Sequence, residues 1–108
     1  MTLYWKKCQG EIWCSFTGLD IQHPVFDDAM GVYIIWSGAV AIKVGGGNIR
    51  SEILKDRANP EIGIQYPQAK VTWAIVGENS INPIINYLNY KITPIVRDRV
   101  LAGDSSVM

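Results

Sequence analysis

Charged side chains that could act on a phosphate or a cation lie close together between residues 43 and 56. Lys43 belongs to a strand-type segment, while Glu52 and Asp56 follow on a predicted helix at i, i+4 spacing and therefore share one helix edge. Three arrangements are open for this acidic edge: a cation site, an edge whose charges are solvated or paired with Lys43, or a protein-binding surface. We expect the second, because a divalent ion takes more oxygen ligands than two carboxylates guarantee. A Lys43–Glu52 ion pair would then plug the groove between strand and helix.

Two arginines lie on the opposite stripe of the same predicted helix. Arg50 and Arg57 are spaced i, i+7, so both point to one side. Guanidinium groups in that position can contact a phosphate backbone, which makes Arg50, Arg57 and Lys43 candidate nucleic-acid contacts. A solvated helix face is the expectation that we favour.

The elements that position these side chains are predicted from local sequence. The apolar run at residues 32–36 and the segment 39–44 are typical of two antiparallel strands joined by a turn at Ser37-Gly38. Asn48 is a good helix N-cap, and a helix is predicted from about residue 49 to 58, before an Asn-Pro pair.

Further elements follow on both sides. Residues 70–76 are rich in β-branched and aromatic residues and predict a third strand. A second helix is predicted to run to about Lys91, with Pro83 in its first turn. At the N-terminus, residues 3–5 and 12–16 favour strand and make a small hairpin plausible.

These elements predict a single α+β domain over residues 1–108. Its centre is a small antiparallel three-stranded sheet flanked by helices, in the order strand, strand, helix, strand, helix, with the possible N-terminal hairpin added. We expect residues 99–108 to form a flexible tail, since they have little to bury. Trp36 and Trp73 are predicted core residues.

Two short sequence motifs lie within the predicted strands and the turn into the first helix. Gly31-Val-Tyr33 and the run KVGGGNI at residues 43–49 resemble the signatures of the GIY-YIG nuclease family, and the resemblance extends over about residues 31–94. It implies a small antiparallel sheet with helices packed on it. It also implies metal-dependent phosphodiester hydrolysis by tyrosines on the two signature strands, an arginine on the first helix and a metal-binding glutamate on the second.

Most of these implied active-site positions are substituted in this chain. Only the first tyrosine, Tyr33, is in its motif place. The other matched positions carry Lys43 for the second tyrosine, Glu52 for the arginine, Asp56 for a histidine and Ile85 for the metal-binding glutamate. Moreover, no acidic residue occurs between Asn79 and Arg97. The resemblance therefore predicts a GIY-YIG-like domain that is catalytically inactive and acts as a binding module.

Two other hypotheses compete with this one. In the first, a divalent-metal-dependent endonuclease survives with an altered site that uses Tyr33, Lys43 and Arg50, and Glu52 or Asp56 holds the metal. That hypothesis predicts that Arg50 approaches Tyr33. In the second, the chain is an unrelated small α/β domain, and a third strand that does not pair with the first two would support it.

The amino-acid composition bears on which class of partner the chain binds. Ten basic residues balance ten acidic residues, so the chain lacks the basic excess of many nucleic-acid-binding domains. We therefore favour a protein partner, with nucleic acid possible, and expect no cofactor unless the endonuclease hypothesis holds, in which case Mg or Mn would bind. No apolar run reaches the ~20 residues of a membrane helix and no signal-peptide pattern is present, so we expect a cytoplasmic protein without a membrane partner.

The other residues whose side chains could bind a ligand or react are expected to have structural roles. Cys8 and Cys14, spaced by six, fit neither a zinc knuckle nor a redox CxxC pair, and we expect two reduced thiols. His23 is expected to be a loop histidine. Tyr87 and Tyr90 are expected to pack on the sheet rather than stack on bases.

Overall fold

The computed structural model describes residues 3–8 and 12–96. It contains an antiparallel sheet and two longer helices. The strands are β1 (Cys14–Ser15), β2 (Met30–Ser37), β3 (Val40–Asn48) and β4 (Lys70–Ile75), and the helices are α1 (Ile49–Ala58) and α2 (Ile81–Ile92). Single helical turns occur at Pro24–Phe26, Pro60–Ile64 and Glu78–Ser80. The α+β class predicted from the sequence is confirmed.

The sheet has four strands in the order β1-β4-β2-β3, one more than predicted. The extra strand is the second N-terminal segment, which pairs with β4 through Cys14↔Val71 instead of forming only a separate hairpin. β2 is central and pairs with both β3 and β4, for example through Ile34↔Val44 and Ile34↔Thr72. The third predicted strand, β4, therefore joins the sheet of the first two by pairing with β2, which removes the observation that would have supported an unrelated domain.

The β2–β3 hairpin turns at Gly38-Ala39, one residue later than predicted. Gly38 has φ of 61°, a left-handed conformation that glycine adopts at little cost. The register then shifts between Ile35 and Trp36, because Ile35 pairs with Lys43 whereas Trp36 pairs with Ala41. Ile42 is the extra residue of this β-bulge, and the bulge brings Ile42 and Lys43 to the same face of the sheet.

Cys8 and Cys14 form a disulfide, so the prediction of two reduced thiols is wrong. Their spacing alone did not show that the chain reverses between them, which brings the two Cα atoms to 5.1 Å, within the usual range for a disulfide. The amide of Cys8 donates to the carbonyl of Ile12 at 2.7 Å, and the amide of Lys6 donates to Trp73 at 2.8 Å. The N-terminal segment is thus held along the free edge of β4.

Each face of the sheet has its own hydrophobic core, because successive strand residues point to opposite faces. One core contains Tyr33, Ile35 and Trp73 together with Ile49 and Ile53 of α1. The other contains strand residues such as Val32 and Ile34 together with three side chains of α2: Ile81, Ile84 and Leu88. The two helices therefore lie on opposite faces of the sheet.

Aromatic residues follow the predictions only in part. Trp73 is buried at 6% exposure, and Trp36 is half-buried with its indole NH donating to Thr72 Oγ1 at 3.4 Å. Tyr87 and Tyr90 are 50% and 80% exposed, so the expectation that they pack on the sheet is wrong. They lie on the outer side of α2, where Lys91 Nζ approaches both rings.

The helix boundaries agree closely with the predicted ones. Asn48 caps α1 by accepting a hydrogen bond from the amide of Ser51 at 3.0 Å. After α2, the amides of Ile95 and Val96 donate to the carbonyls of Ala41 and Ile42, along the outer edge of β3.

The predicted flexible tail, residues 99–108, lies outside the described residues. Within residues 3–8 and 12–96, no helix combines the length and the hydropathy needed to cross a membrane.

Candidate functional site

Tyr33 and Lys43 reach the same space from neighbouring strands. Tyr33 is opposite Gly45 in the β2–β3 ladder, and Lys43 is opposite Ile35, on the face covered by α1. Gly45 leaves the room that the tyrosine ring occupies, since a Cβ at this position would lie 2.4 Å from the Tyr33 hydroxyl oxygen. Gly45 thus has a packing function here.

Asp56 joins these two side chains from α1. Lys43 Nζ lies 2.6 Å from Asp56 Oδ1, and the Tyr33 hydroxyl donates a short hydrogen bond to Asp56 Oδ2. We call these three residues the Tyr33–Asp56–Lys43 network. Asp56 is 3% exposed and Tyr33 is fully buried. The ion pair predicted for Lys43 exists, but its acidic partner is Asp56.

Glu52 does not take part in this network. Its carboxylate lies 3.2 Å from Lys55 Nζ, one turn along the same helix, so the predicted Lys43–Glu52 pair is wrong. Both acidic residues share the helix edge, as i, i+4 spacing requires, but the Lys43 ammonium group lies beside Asp56, the second of them.

The electrostatics of the network follow from burial. An isolated charge in this position would be strongly destabilised, and the ammonium and carboxylate groups of Lys43 and Asp56 neutralise each other. The Tyr33 hydroxyl hydrogen is used in the bond to Asp56, so it points into the protein. Solvent does not reach the Tyr33 side chain.

Arg50 is committed to the loop before β2. Its Nε donates to the carbonyl of Ile21 at 2.7 Å, and its Nη2 donates to the carbonyl of His23 at 3.1 Å and to Asp27 Oδ1 at 2.8 Å. Because the side chain is directed to this loop, the structure does not bring the guanidinium group of Arg50 to the Tyr33 hydroxyl.

Arg57 has a similar role two helical turns further along α1. Its Nε donates to the carbonyl of Phe16 at 2.9 Å and its Nη2 to the carbonyl of Leu19 at 2.6 Å. Burial lowers the pKa of Arg57 below its ordinary value, because desolvation disfavours the charged form. Arg50 and Arg57 together fasten residues 16–27 to the helix, and their proposed contact with nucleic acid stays a prediction.

Ile85 lies on the other face of the sheet from Tyr33. A Cβ added at Gly46 would lie 2.9 Å from Ile85 Cδ1, whereas one added at the adjacent Gly45 would meet Tyr33. The structure therefore brings together Tyr33, Lys43 and Asp56 and leaves Ile85 apart from them.

Sequence reasoning missed the importance of the loop carbonyl groups at residues 16, 19, 21 and 23, because backbone acceptors leave no signal in the residue types. His23 is a loop residue as predicted, and its Nδ1 accepts a hydrogen bond from the amide of Val25 at 3.0 Å. Asn89 was also missed: it is 6% exposed, and neither its Oδ1 nor its Nδ2 has a hydrogen-bond partner among the described residues.

Comparisons with known proteins give this site no relative. In residues 3–8 and 12–96, no three His, Cys, Asp or Glu side chains are grouped so that they could hold a metal ion. No family model, curated protein or solved structure matches the chain. The resemblance to GIY-YIG nucleases thus depends on the motif residues and the order of elements alone.

Proposed function

We propose that this chain is a GIY-YIG nuclease-like domain that has lost catalysis and acts as a binding module. The two motifs, their separation and the helix directly after them support the proposal. The pairing of β2 with both β3 and β4 supports it further, because a small antiparallel sheet with helices packed on it is what the resemblance implies.

The observation that carries the loss of catalysis is the Tyr33–Asp56–Lys43 network. A tyrosine that positions or deprotonates water must meet both water and phosphate, but Tyr33 is fully buried with its hydrogen donated to Asp56. The carboxylate of Asp56 is at the same time neutralised by Lys43. A phosphate would have to displace an internal ion pair to enter this space.

The endonuclease hypothesis receives less support. It needs Arg50 beside Tyr33, and Arg50 is instead bonded to Ile21, His23 and Asp27. It also needs Glu52 or Asp56 as metal ligand, and each is paired with a lysine. Binding of Mg or Mn at either carboxylate would compete with the ion pair that the carboxylate already makes.

A protein is the partner that we favour. The equal numbers of acidic and basic residues and the acidic residues at two basic family positions support this choice over nucleic acid.

The Cys8–Cys14 disulfide favours an oxidising compartment over the cytoplasm suggested by the sequence, because such bonds are rare where thiols are kept reduced.

A cleavage assay tests the loss of catalysis. Purified domain with magnesium or manganese is incubated with plasmid, single-stranded DNA, branched DNA and RNA, and all four are expected to stay intact. Tyr33→Phe and the exposed Tyr90→Phe are the matched variants. Metal-dependent cutting that Tyr33→Phe abolishes and Tyr90→Phe preserves would overturn the proposal.

Partner capture tests the binding function. Tagged domain is used to capture partners from a native lysate, with and without nuclease treatment. A defined protein recovered in both samples is the expected result. Capture that disappears after nuclease treatment would show that nucleic acid is the partner and would contradict the protein preference.

A further inference from the structure

A cavity of about 330 Å³ lies between the N-terminal segment and the loop before β2. It is on the same sheet face as α1 but is separate from the Tyr33–Asp56–Lys43 network, none of whose residues line it. Its lining residues are Lys6, Lys7, Leu19, Asp20, His23, Val25, Phe26 and Trp73. Its volume is at the lower end of the range for small-molecule sites, about 300 to 1,000 Å³.

The inner wall of the cavity is aromatic. Phe26 and Trp73 are buried at 1% and 6% exposure, and their ring centroids are 5.0 Å apart with an interplanar angle of 47°. Leu19 adds a partly buried aliphatic side chain packed against the same core. Such a wall suits a flat apolar group, which gains hydrophobic burial and aromatic contact there.

The rim carries hydrogen-bond donors on His23 and Lys6. His23 Nδ1 accepts from the amide of Val25, so the ring proton is on Nε2, which is left as a donor. Lys6 is exposed, and its backbone is fixed beside Trp73 by the 2.8 Å hydrogen bond to that residue. The disulfide at the end of this segment limits its movement further.

Two other charges border the cavity. Lys7 Nζ lies 4.9 Å from the centre of the Trp13 ring and is already engaged there. Asp20 opposes an anion, but its Oδ1 accepts from the amide of Gln22 at 3.0 Å, which orients the carboxylate toward its own loop. The rim thus carries Lys6 and His23 as donors beside Asp20, whose carboxylate is held by its own loop.

We propose that this cavity binds a small aromatic carboxylate. The ring of the ligand lies against Phe26 and Trp73, and its carboxylate accepts hydrogen bonds from Lys6 Nζ and His23 Nε2. The combination of an apolar wall with the ammonium and imidazole donors of the rim selects both parts of the molecule: an inorganic anion lacks the ring, and a neutral aromatic lacks the charge. The site goes beyond the proposed function, and the cleavage assay has no bearing on it.

An NMR titration of ¹⁵N-labelled full chain with 3-phenylpropionate tests the site. Amide shifts are expected at residues 6, 19, 23 and 73. The neutral analogue 3-phenylpropionamide should bind at least about 5-fold more weakly, since it lacks the charge-assisted hydrogen bonds. Acetate, which has no ring, should cause no localised shifts at matched concentration.

Two lysine variants make the test specific. Lys6→Gln should reduce acid binding to the level of the amide, while Lys91→Gln, on the opposite face of the sheet, should leave it unchanged. Unchanged spectra away from the cavity verify folding of both variants. Equal binding of acid and amide, equal shifts with acetate, or shifts centred elsewhere would overturn the proposal.

The same chemistry occurs at a peptide C-terminus that ends in phenylalanine. A tripeptide acid of that kind and its C-terminal amide form a second arm of the titration. Tighter binding of the peptide acid than of phenylpropionate assigns the site to a protein chain end, whereas weaker binding assigns it to a free small molecule; both results retain the aromatic carboxylate site.

Discussion

The ammonium group of Lys43 lies 2.6 Å from Asp56 Oδ1, and Asp56 is only 3% exposed. Removing one member of such a pair leaves the other charge buried without compensation. We expect Asp56→Asn, which keeps the volume of the side chain, to lower the free energy of unfolding by about 3 kcal/mol. Urea denaturation at neutral pH, with the disulfide intact, measures the change.

A double-mutant cycle separates the pair from its surroundings. Lys43→Met combined with Asp56→Asn should cost less than the sum of the two single changes, with a coupling energy of about 1 to 3 kcal/mol. Lys55→Met breaks the exposed Lys55–Glu52 pair instead and should change stability by less than about 1 kcal/mol. Equal effects of Asp56→Asn and Lys55→Met would show that the Lys43–Asp56 pair is not internal.

Gly45→Ala tests the packing of Tyr33 against β3. The new methyl group would lie 2.4 Å from the hydroxyl oxygen and 2.5 Å from Cζ of Tyr33, so the ring must move. We expect a loss of about 1 to 3 kcal/mol in the free energy of unfolding. Gly77→Ala is the control, because nothing lies within 4 Å of the corresponding Cβ and its φ of −64° suits alanine. A Gly45→Ala variant as stable as Gly77→Ala would contradict the close contact.

Arg57→Met tests the attachment of residues 16–27 to α1. The change leaves the carbonyl groups of Phe16 and Leu19 without their guanidinium donors, which should cost about 1 to 3 kcal/mol. Hydrogen exchange should accelerate in that loop before it accelerates in the sheet. Lys55→Met serves again as the exposed control on the same helix. Exchange that rises uniformly over the domain would indicate general destabilisation instead.

Asn89→Leu is expected to stabilise the domain. The amide is buried at 6% exposure with both polar atoms unpaired among the described residues, and replacing it with an apolar side chain of similar size removes that desolvation cost. We expect a gain of about 1 kcal/mol in the free energy of unfolding. Asn86→Leu on the exposed side of α2 should give no comparable gain. A loss of stability in Asn89→Leu would mean that the amide has a partner in the folded protein.

Features set by neighbouring residues were predictable from the sequence. The bounds of α1 follow from the Asn48 cap and from the Asn59-Pro60 pair, and the structure places the helix at Ile49–Ala58. The two strands before it and the strand after it were also predicted, since apolar runs and glycine turns report local conformation. The general location of the charged cluster followed from these elements.

Features set by tertiary contacts were not predictable. β1 is only two residues long, and it is a strand because β4 offers it an edge. The choice of Asp56 over Glu52 depends on how α1 packs against β3, which the apolar pattern of β3 does not reveal. The disulfide depends on a reversal of the chain between Cys8 and Cys14. In each case the deciding partner is supplied by a different part of the fold.

The segment that follows α2 has a consequence for the behaviour of the domain in concentrated solution. The amides of Ile95 and Val96 donate hydrogen bonds to two carbonyl groups on the outer edge of β3. The amide of Lys6, in the N-terminal segment, does the same for one carbonyl group of β4. Exposed strand edges are the usual templates for sheet-to-sheet aggregation. Where these carbonyl groups are occupied by its own chain, the molecule should be less prone to recruit a second copy through backbone pairing.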